Sequence, residues 1–143
     1  MHLRWERSDR HRVVTAVALF GAVVAVALGV WGLPPVDLHG PLHKVGIMDP
    51  LCGGTRAARY TVAGQLDDAW KYNPLGIVTV IGAFLVSART AVGLLTRHWL
   101  NVTIRWTPRR RMLVTAGVMT LLVLLEVRQQ ARADLLMEGT FTF

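Results

Sequence analysis

The feature that most constrains this chain is a run of 21 residues without a charge, Val13 to Leu33. At about 1.5 Å per residue, a helix of that length covers roughly 30 Å, the thickness of a bilayer's hydrocarbon core. A basic leader, MHLRWERSDRHR, precedes it, which raises the possibility of a secretory signal. The run is longer than a signal core and continues without a break to Pro34-Pro35, so it reads as a retained membrane helix. Pro34-Pro35 ends it, because proline has no N–H to continue the ladder.

Two further apolar blocks follow, each opened by the same punctuation. Asn73-Pro74 supplies a capping side chain and a proline at the first helical position, starting a span that runs to about Thr96 with Arg89 as its only charge. Thr107-Pro108 repeats the signal. The 14 uncharged residues from Met112 to Leu125 are too few to span alone, so the third helix is expected to continue through Glu126 and Arg128 to about residue 131. Between the first two blocks, Gly53-Gly54-Thr55 reads as a helix entry, with Thr55 or a neighbouring glycine as cap. Ala58, Val62, Leu66 and Ala69/Trp70 then form an apolar stripe at helical steps. That segment, about 54–71, is too short and too charged to span, so it is predicted to lie at the interface or dip in as a re-entrant element, with Gly64 as a break point. The expected fold is all-α: one membrane domain, residues 1–143, with spans at about 13–33, 74–96 and 108–131.

Stripes of small residues let membrane helices approach closely, since packing rather than hydrophobicity drives their association in lipid. Gly21, Ala25 and Gly29 form such a stripe on the first span; Thr79, Ala83, Ser87 and Ala91 form its expected partner on the second.

A chain with 52% hydrophobic residues and a net charge of +7 must also be weighed as a nucleic-acid binder. Its cations cluster at the ends of apolar blocks rather than along a soluble helix face, so the expected partner is the lipid bilayer and not nucleic acid. Four basic residues in the leader and five in segment 97–111, against acid-matched ones in 34–72, favour a cytoplasmic N-terminus and an outside C-terminus. The Arg-rich composition fits a bacterial cytoplasmic membrane. Asn101-Val102-Thr103 fits a glycosylation sequon, but a short basic loop makes coincidence the better reading.

Candidate chemistry concentrates before the second span. Asp37, His39, His43, Asp49 and Cys52 are metal-ligating types within 16 positions. Gly40-Pro41, however, breaks any helix between the two histidines, and no second cluster closes a site. Cys52 lies at a helix entry beside Arg56, an environment that would lower a thiol pKa. Arg89, costly inside a span, reads as a snorkelling side chain or a contact with a partner subunit. An Arg56 or Arg59 contact with Glu126 or Asp49 would tie the short helix to the third span. No phosphate loop, catalytic triad or paired catalytic carboxylate is present in the sequence.

The stretch DPLCGGTRAARYTVAGQLDDAWKYNPL resembles the core of a widespread bacterial family of small membrane proteins, the domain of unknown function numbered 2752. Its pattern C-P-x-C-G-x-T-R-A, followed by N-P-L, is met here by Pro50, Cys52, Gly53, Thr55, Arg56, Ala57, Asn73, Pro74 and Leu75. GPLHKVGI resembles an upstream family segment, and Arg128 corresponds to an arginine that often closes the last span. Gly40 and Asp49 stand where many members carry cysteine. The resemblance implies a membrane fold and supplies no activity.

With thin helices, a poor shielded pocket and no reaction constellation, the expected role is a non-catalytic accessory or assembly subunit. It would contact other membrane subunits and need no cofactor. The alternatives are a small membrane enzyme or metal/redox protein using Cys52, Asp49, His43 and Arg56, and an oligomeric solute transporter around Arg89.

Overall fold

A computed structural model describes residues 2–32, 47–103 and 106–138. Along the chain they form strand β1 (His2–Glu6), the long helix α1 (Arg12–Trp31), the short helices α2 (Gly54–Val62) and α3 (Leu66–Tyr72), and the long helix α4 (Pro74–Thr96). Strand β2 (Trp99–Thr103), the long helix α5 (Pro108–Gln130) and the short helix α6 (Ala133–Glu138) complete the fold. It is mostly helical, and α1, α4 and α5 are each long and apolar enough to cross a membrane.

Local signals account for the helix starts. Asn73 is extended (φ −161°), and its side chain accepts a hydrogen bond from the Leu75 N–H ahead of Pro74. Thr107 does the same for the Arg110 N–H ahead of Pro108. Gly53, at φ +74°, is the residue before α2, a left-handed conformation that glycine adopts without penalty. Gly64, at φ +77°, separates α2 from α3. The short segment is therefore two helices, broken at Gly64, where the sequence placed the break point. Its apolar stripe breaks with it: Ala57 and Ala69 are the buried residues, while Leu66 and Trp70 face outward.

The helices α1 and α4 pack antiparallel, with α2 across both. On α1 the buried positions are Thr15, Ala22 and Ala25; on α4 they are Gly76, Val80, Ala83, Thr90 and Gly93. The expected stripe of four-residue steps is thus corrected. Thr79 and Ala91 are exposed, and Ser87 is half-buried, donating its hydroxyl to the Ala83 carbonyl. A strict step of four drifts around a helix of 3.6 residues per turn, whereas mixed threes and fours stay on one face. Ala25 and Ala83 hold at the contact, Gly21 is only half-buried, and Gly29 lies against Val62 of α2 rather than against α4. At Gly76 a Cβ would come within 2.7 Å of the Ala57 Cβ, so that glycine sets the distance between α2 and α4.

Two features lie outside the all-α expectation. β1 and β2 pair antiparallel, from His2 opposite Thr103 to Glu6 opposite Trp99. This brings the leader and the segment after α4 to one end of the bundle. The other is the isolation of α5. Its residues are exposed from Pro108 to Leu121, and only its last turn is buried against the rest of the protein.

Candidate functional site

The segment from Met48 to Asn73 folds into an elbow at the end of the bundle opposite the strands. Asp49 opens it: its Oδ1 accepts the Leu51 N–H at 2.7 Å, and its carbonyl accepts the Cys52 N–H at 3.0 Å. This side-chain-to-backbone turn aims the Pro50 and Cys52 carbonyls inward. Asn73, fully buried, receives them, its Nδ2 donating to the Pro50 oxygen (2.9 Å) and the Cys52 oxygen (2.8 Å). One asparagine therefore starts α4 and closes the loop that precedes α2.

The end of α5 docks onto this elbow through carbonyls. The last carbonyls of a helix have no partner within it. At the end of α3, Arg128 donates to the Trp70 oxygen, Gln129 Nε2 to the Tyr72 oxygen at 2.9 Å, and Arg132 Nη1 to the Lys71 oxygen at 2.9 Å. Gln129, fully buried, also donates to the Cys52 oxygen at 2.8 Å, and Gln130 Oε1 accepts the Met48 N–H at 2.9 Å. Cationic side chains also suit the negative end of the α3 dipole. Around these bonds lie Met48, Cys52 and Leu136, with Tyr72 and Ala133 against them. Arg56 sits 5.4 Å from the Tyr72 ring centre and donates to the Leu136 oxygen at 3.4 Å. Tyr60 stacks on the same ring at 5.4 Å.

Several expectations change here. The expected arginine–Glu126 tie is replaced: Glu126 is exposed, and Arg56 reaches the C-terminal segment through a carbonyl and a ring. Cys52 is 6% exposed, and burial pushes its thiol above its ordinary pKa, the reverse of the shift expected from its position at a helix entry. Asp49, Pro50, Gly53, Asn73, Pro74 and Arg128 do gather at the elbow, whereas Thr55 lies exposed on α2. His39 and His43, like Asp37, lie outside the described residues. Among the described residues, no three His, Cys, Asp or Glu side chains stand close enough to share a metal ion.

At the strand end, Arg89 is the centre of a second polar cluster. Its Nε donates to the Leu100 oxygen (2.6 Å), its Nη2 to Asp9 Oδ1 and Asn101 Oδ1 (2.9 Å each), and its Nη1 to Thr15 Oγ1 (3.3 Å). Thr15 in turn donates to Asp9 Oδ2 at 2.6 Å, and the His11 N–H to Asp9 Oδ1 at 2.9 Å. Burial by itself would raise the Asp9 pKa. The hydrogen bonds from Thr15, Arg89 and the His11 N–H, with the guanidinium charge, override it and bring the carboxyl to about 2. Asn101, fully buried, donates to Glu6 Oε2 (2.9 Å) and the Ser8 oxygen (3.0 Å), holding the leader onto β2. Trp99 lies beneath the guanidinium, 5.8 Å from its ring centre, and occupies the space beside Gly93. Arg89 is thus satisfied within the chain, where snorkelling or a partner contact was expected. Asp9, Thr15, Gln129 and Arg132 are residues sequence reasoning did not single out, and Asn101 was read only as part of a coincidental sequon.

Both clusters are closed. Their polar atoms meet one another, and no buried side-chain nitrogen or oxygen among the described residues lacks a partner.

Residues 41–87 match the family model described as "Protein of unknown function (DUF2752)". The match covers the elbow and the first half of α4, and leaves α1 and α5 outside it. No curated protein and no solved structure matches this chain.

Proposed function

We propose that this protein is a non-catalytic accessory or assembly subunit of a larger membrane complex, held in a bacterial cytoplasmic membrane with its strand end inside. The observation that carries this reading is α5. It is fastened to the elbow by its last turn alone, while the apolar residues Val114, Val118, Leu121 and Leu124 stand 48–67% exposed. These residues and Gly117 share one side of the helix at three- and four-residue steps. A helix fixed at one end and bare along its length presents a docking rail for another membrane helix, with Gly117 as the point of closest approach. The elbow and the Arg89 cluster suit a scaffold, because their polar groups are spent on holding helices together. Commitment of the Arg89 donors to Asp9, Thr15, Asn101 and Leu100 also weighs against solute transport around that residue.

Gly117→Leu tests the reading. A Cβ at Gly117 meets nothing within 4 Å, so the substitution leaves the protomer's own packing intact. Tagged protein isolated from native membranes in mild detergent should bring down a stoichiometric membrane partner. The Gly117→Leu form should lose it at unchanged thermal stability. A wild-type chain that purifies alone and cross-links to nothing in native membranes would sink the proposal.

A further inference from the structure

Among the described residues, the surplus positive charge of this molecule lies at one end. The strand end carries eight exposed arginines, four in segment 4–12, Arg97, and three in segment 109–111, against two acidic residues, Glu6 and Asp9. Both acids are already engaged, Asp9 by Arg89 and Glu6 by Asn101. Among the described residues the eight guanidiniums meet no carboxylate. At the elbow end, five basic residues (Arg56, Arg59, Lys71, Arg128, Arg132) stand against six acidic ones (Asp49, Asp67, Asp68, Glu126, Asp134, Glu138), so among the described residues that end carries no surplus of positive charge.

Within this basic end lies an open groove of about 600 Å³ at the start of α5, walled by Trp106, Pro108, Arg111, Met112, Thr115 and Ala116. Its chemistry is graded along the helix. Arg111 stands in the first turn with Arg109 and Arg110, Trp106 just before the helix is 53% exposed, and Met112, Thr115 and Ala116 continue down the apolar span. From Arg111 to Ala116 the helix rises about 7.5 Å, the depth separating a headgroup phosphate from the first acyl carbons. A guanidinium binds a phosphate diester through paired N–H donors, an indole sits at the glycerol level with its N–H outward, and a threonine–alanine–methionine wall accepts an acyl chain.

We propose that this groove seats one anionic glycerophospholipid, with its phosphate on Arg111 and its proximal acyl chain along Met112, Thr115 and Ala116. Three observations select an anionic lipid. The apolar wall leads away from the cations, which a free phosphate does not need. No carboxylate is present among the groove residues to receive a choline or ethanolamine headgroup. The surplus positive charge of the whole strand end favours an anionic leaflet over a zwitterionic one. The groove face of α5 lies on the opposite side of the helix from Val114, Gly117 and Leu121, so lipid binding stands independently of the docking role proposed above.

Native mass spectrometry of the full chain, released from mild detergent with added lipid, tests this directly. Phosphatidylglycerol should remain bound about tenfold or more over phosphatidylcholine. Arg109→Gln/Arg110→Gln/Arg111→Gln should abolish that preference, whereas Arg4→Gln/Arg7→Gln/Arg10→Gln, which removes equal charge away from the groove, should keep most of it. Both triple variants remove exposed side chains without a carboxylate partner, so their melting temperatures should match the wild type, confirming that folding is intact. Equal retention of the two lipids, equal losses in the two triple variants, or displacement of the lipid by millimolar inorganic phosphate would each overturn the proposal.

Discussion

Replacing Asp9 by asparagine keeps the shape of the Arg89 cluster and removes the carboxylate that meets the guanidinium. The Asp9 and Arg89 side chains are 7% and 17% exposed and 2.9 Å apart, so screening by solvent is weak. The fall of the Asp9 pKa from 3.8 to about 2 in the folded protein corresponds to stability on the order of 2 kcal/mol, at about 1.4 kcal/mol per pH unit. A depressed carboxylate pKa gives stability that is complete well above pH 3.8 and is lost as the pH falls toward 2. Asp9→Asn should therefore melt about 5–10 °C below the wild type at pH 7 in mild detergent, as expected for a chain of this size. The gap should shrink to a minor part of that at pH 2, where the wild-type Asp9 is itself about half protonated. Other carboxylates titrate in both proteins and cancel in the difference. Arg89→Gln, made in the wild type and in the Asp9→Asn background, should show a coupling of about 2 kcal/mol. Equal melting temperatures at pH 7, or a gap as large at pH 2 as at pH 7, would refute the reasoning.

Other perturbations test the elbow and the helix contacts. Gln129→Leu leaves the half-buried Tyr72 oxygen without its donor, at a cost of about 1–3 kcal/mol; limited proteolysis should then cut the connection between α5 and α6 faster than in the wild type. Gly93→Ala puts a methyl 2.6 Å from the Trp99 ring, so the indole must shift; fluorescence should change and stability should fall by about 1–3 kcal/mol. Gly82→Ala, where a Cβ meets nothing within 4 Å, should instead hold or gain stability, since alanine is the better helix former by about 0.5–1 kcal/mol. Because burial raises the Cys52 pKa, maleimide should label Cys52 slowly in folded protein at pH 7.5 and rapidly after unfolding in dodecyl sulfate, and rapid labelling of the folded state would contradict the buried placement.

Much of the frame was legible because its signals are local. A charge-free run of bilayer length, an Asn-Pro or Thr-Pro start and a glycine at a break each act within a few residues of chain. For the same reason the Asn73 cap could be read directly, and the gathering of Asp49, Pro50, Gly53 and Asn73 follows from one short stretch. The choice of buried face on α4 was not legible. The small-residue pattern pointed to Thr79, Ala83, Ser87 and Ala91, and the contacts with α1 and α2 kept Ala83 but selected Gly76 and Val80 over Thr79 and Ala91. Cys52 shows the same dependence: its helix-entry position argued for a lowered pKa, but Met48 and Leu136, distant in sequence, bury it and reverse the shift.

The sequence by itself determined three apolar helices, their punctuation, and where the short elbow helices lie. Tertiary structure alone decided what Arg89 is for. In the sequence it is one charge stranded in an apolar span. In the fold, Asp9 arrives from 80 residues away and Asn101 from 12. That arrangement depends on β1 pairing with β2 and on α1 lying beside α4. Helix formation is governed by near neighbours, so it leaves a trace in the local pattern. Pairing a carboxylate with a distant guanidinium depends on how whole elements meet, which no window of residues encodes.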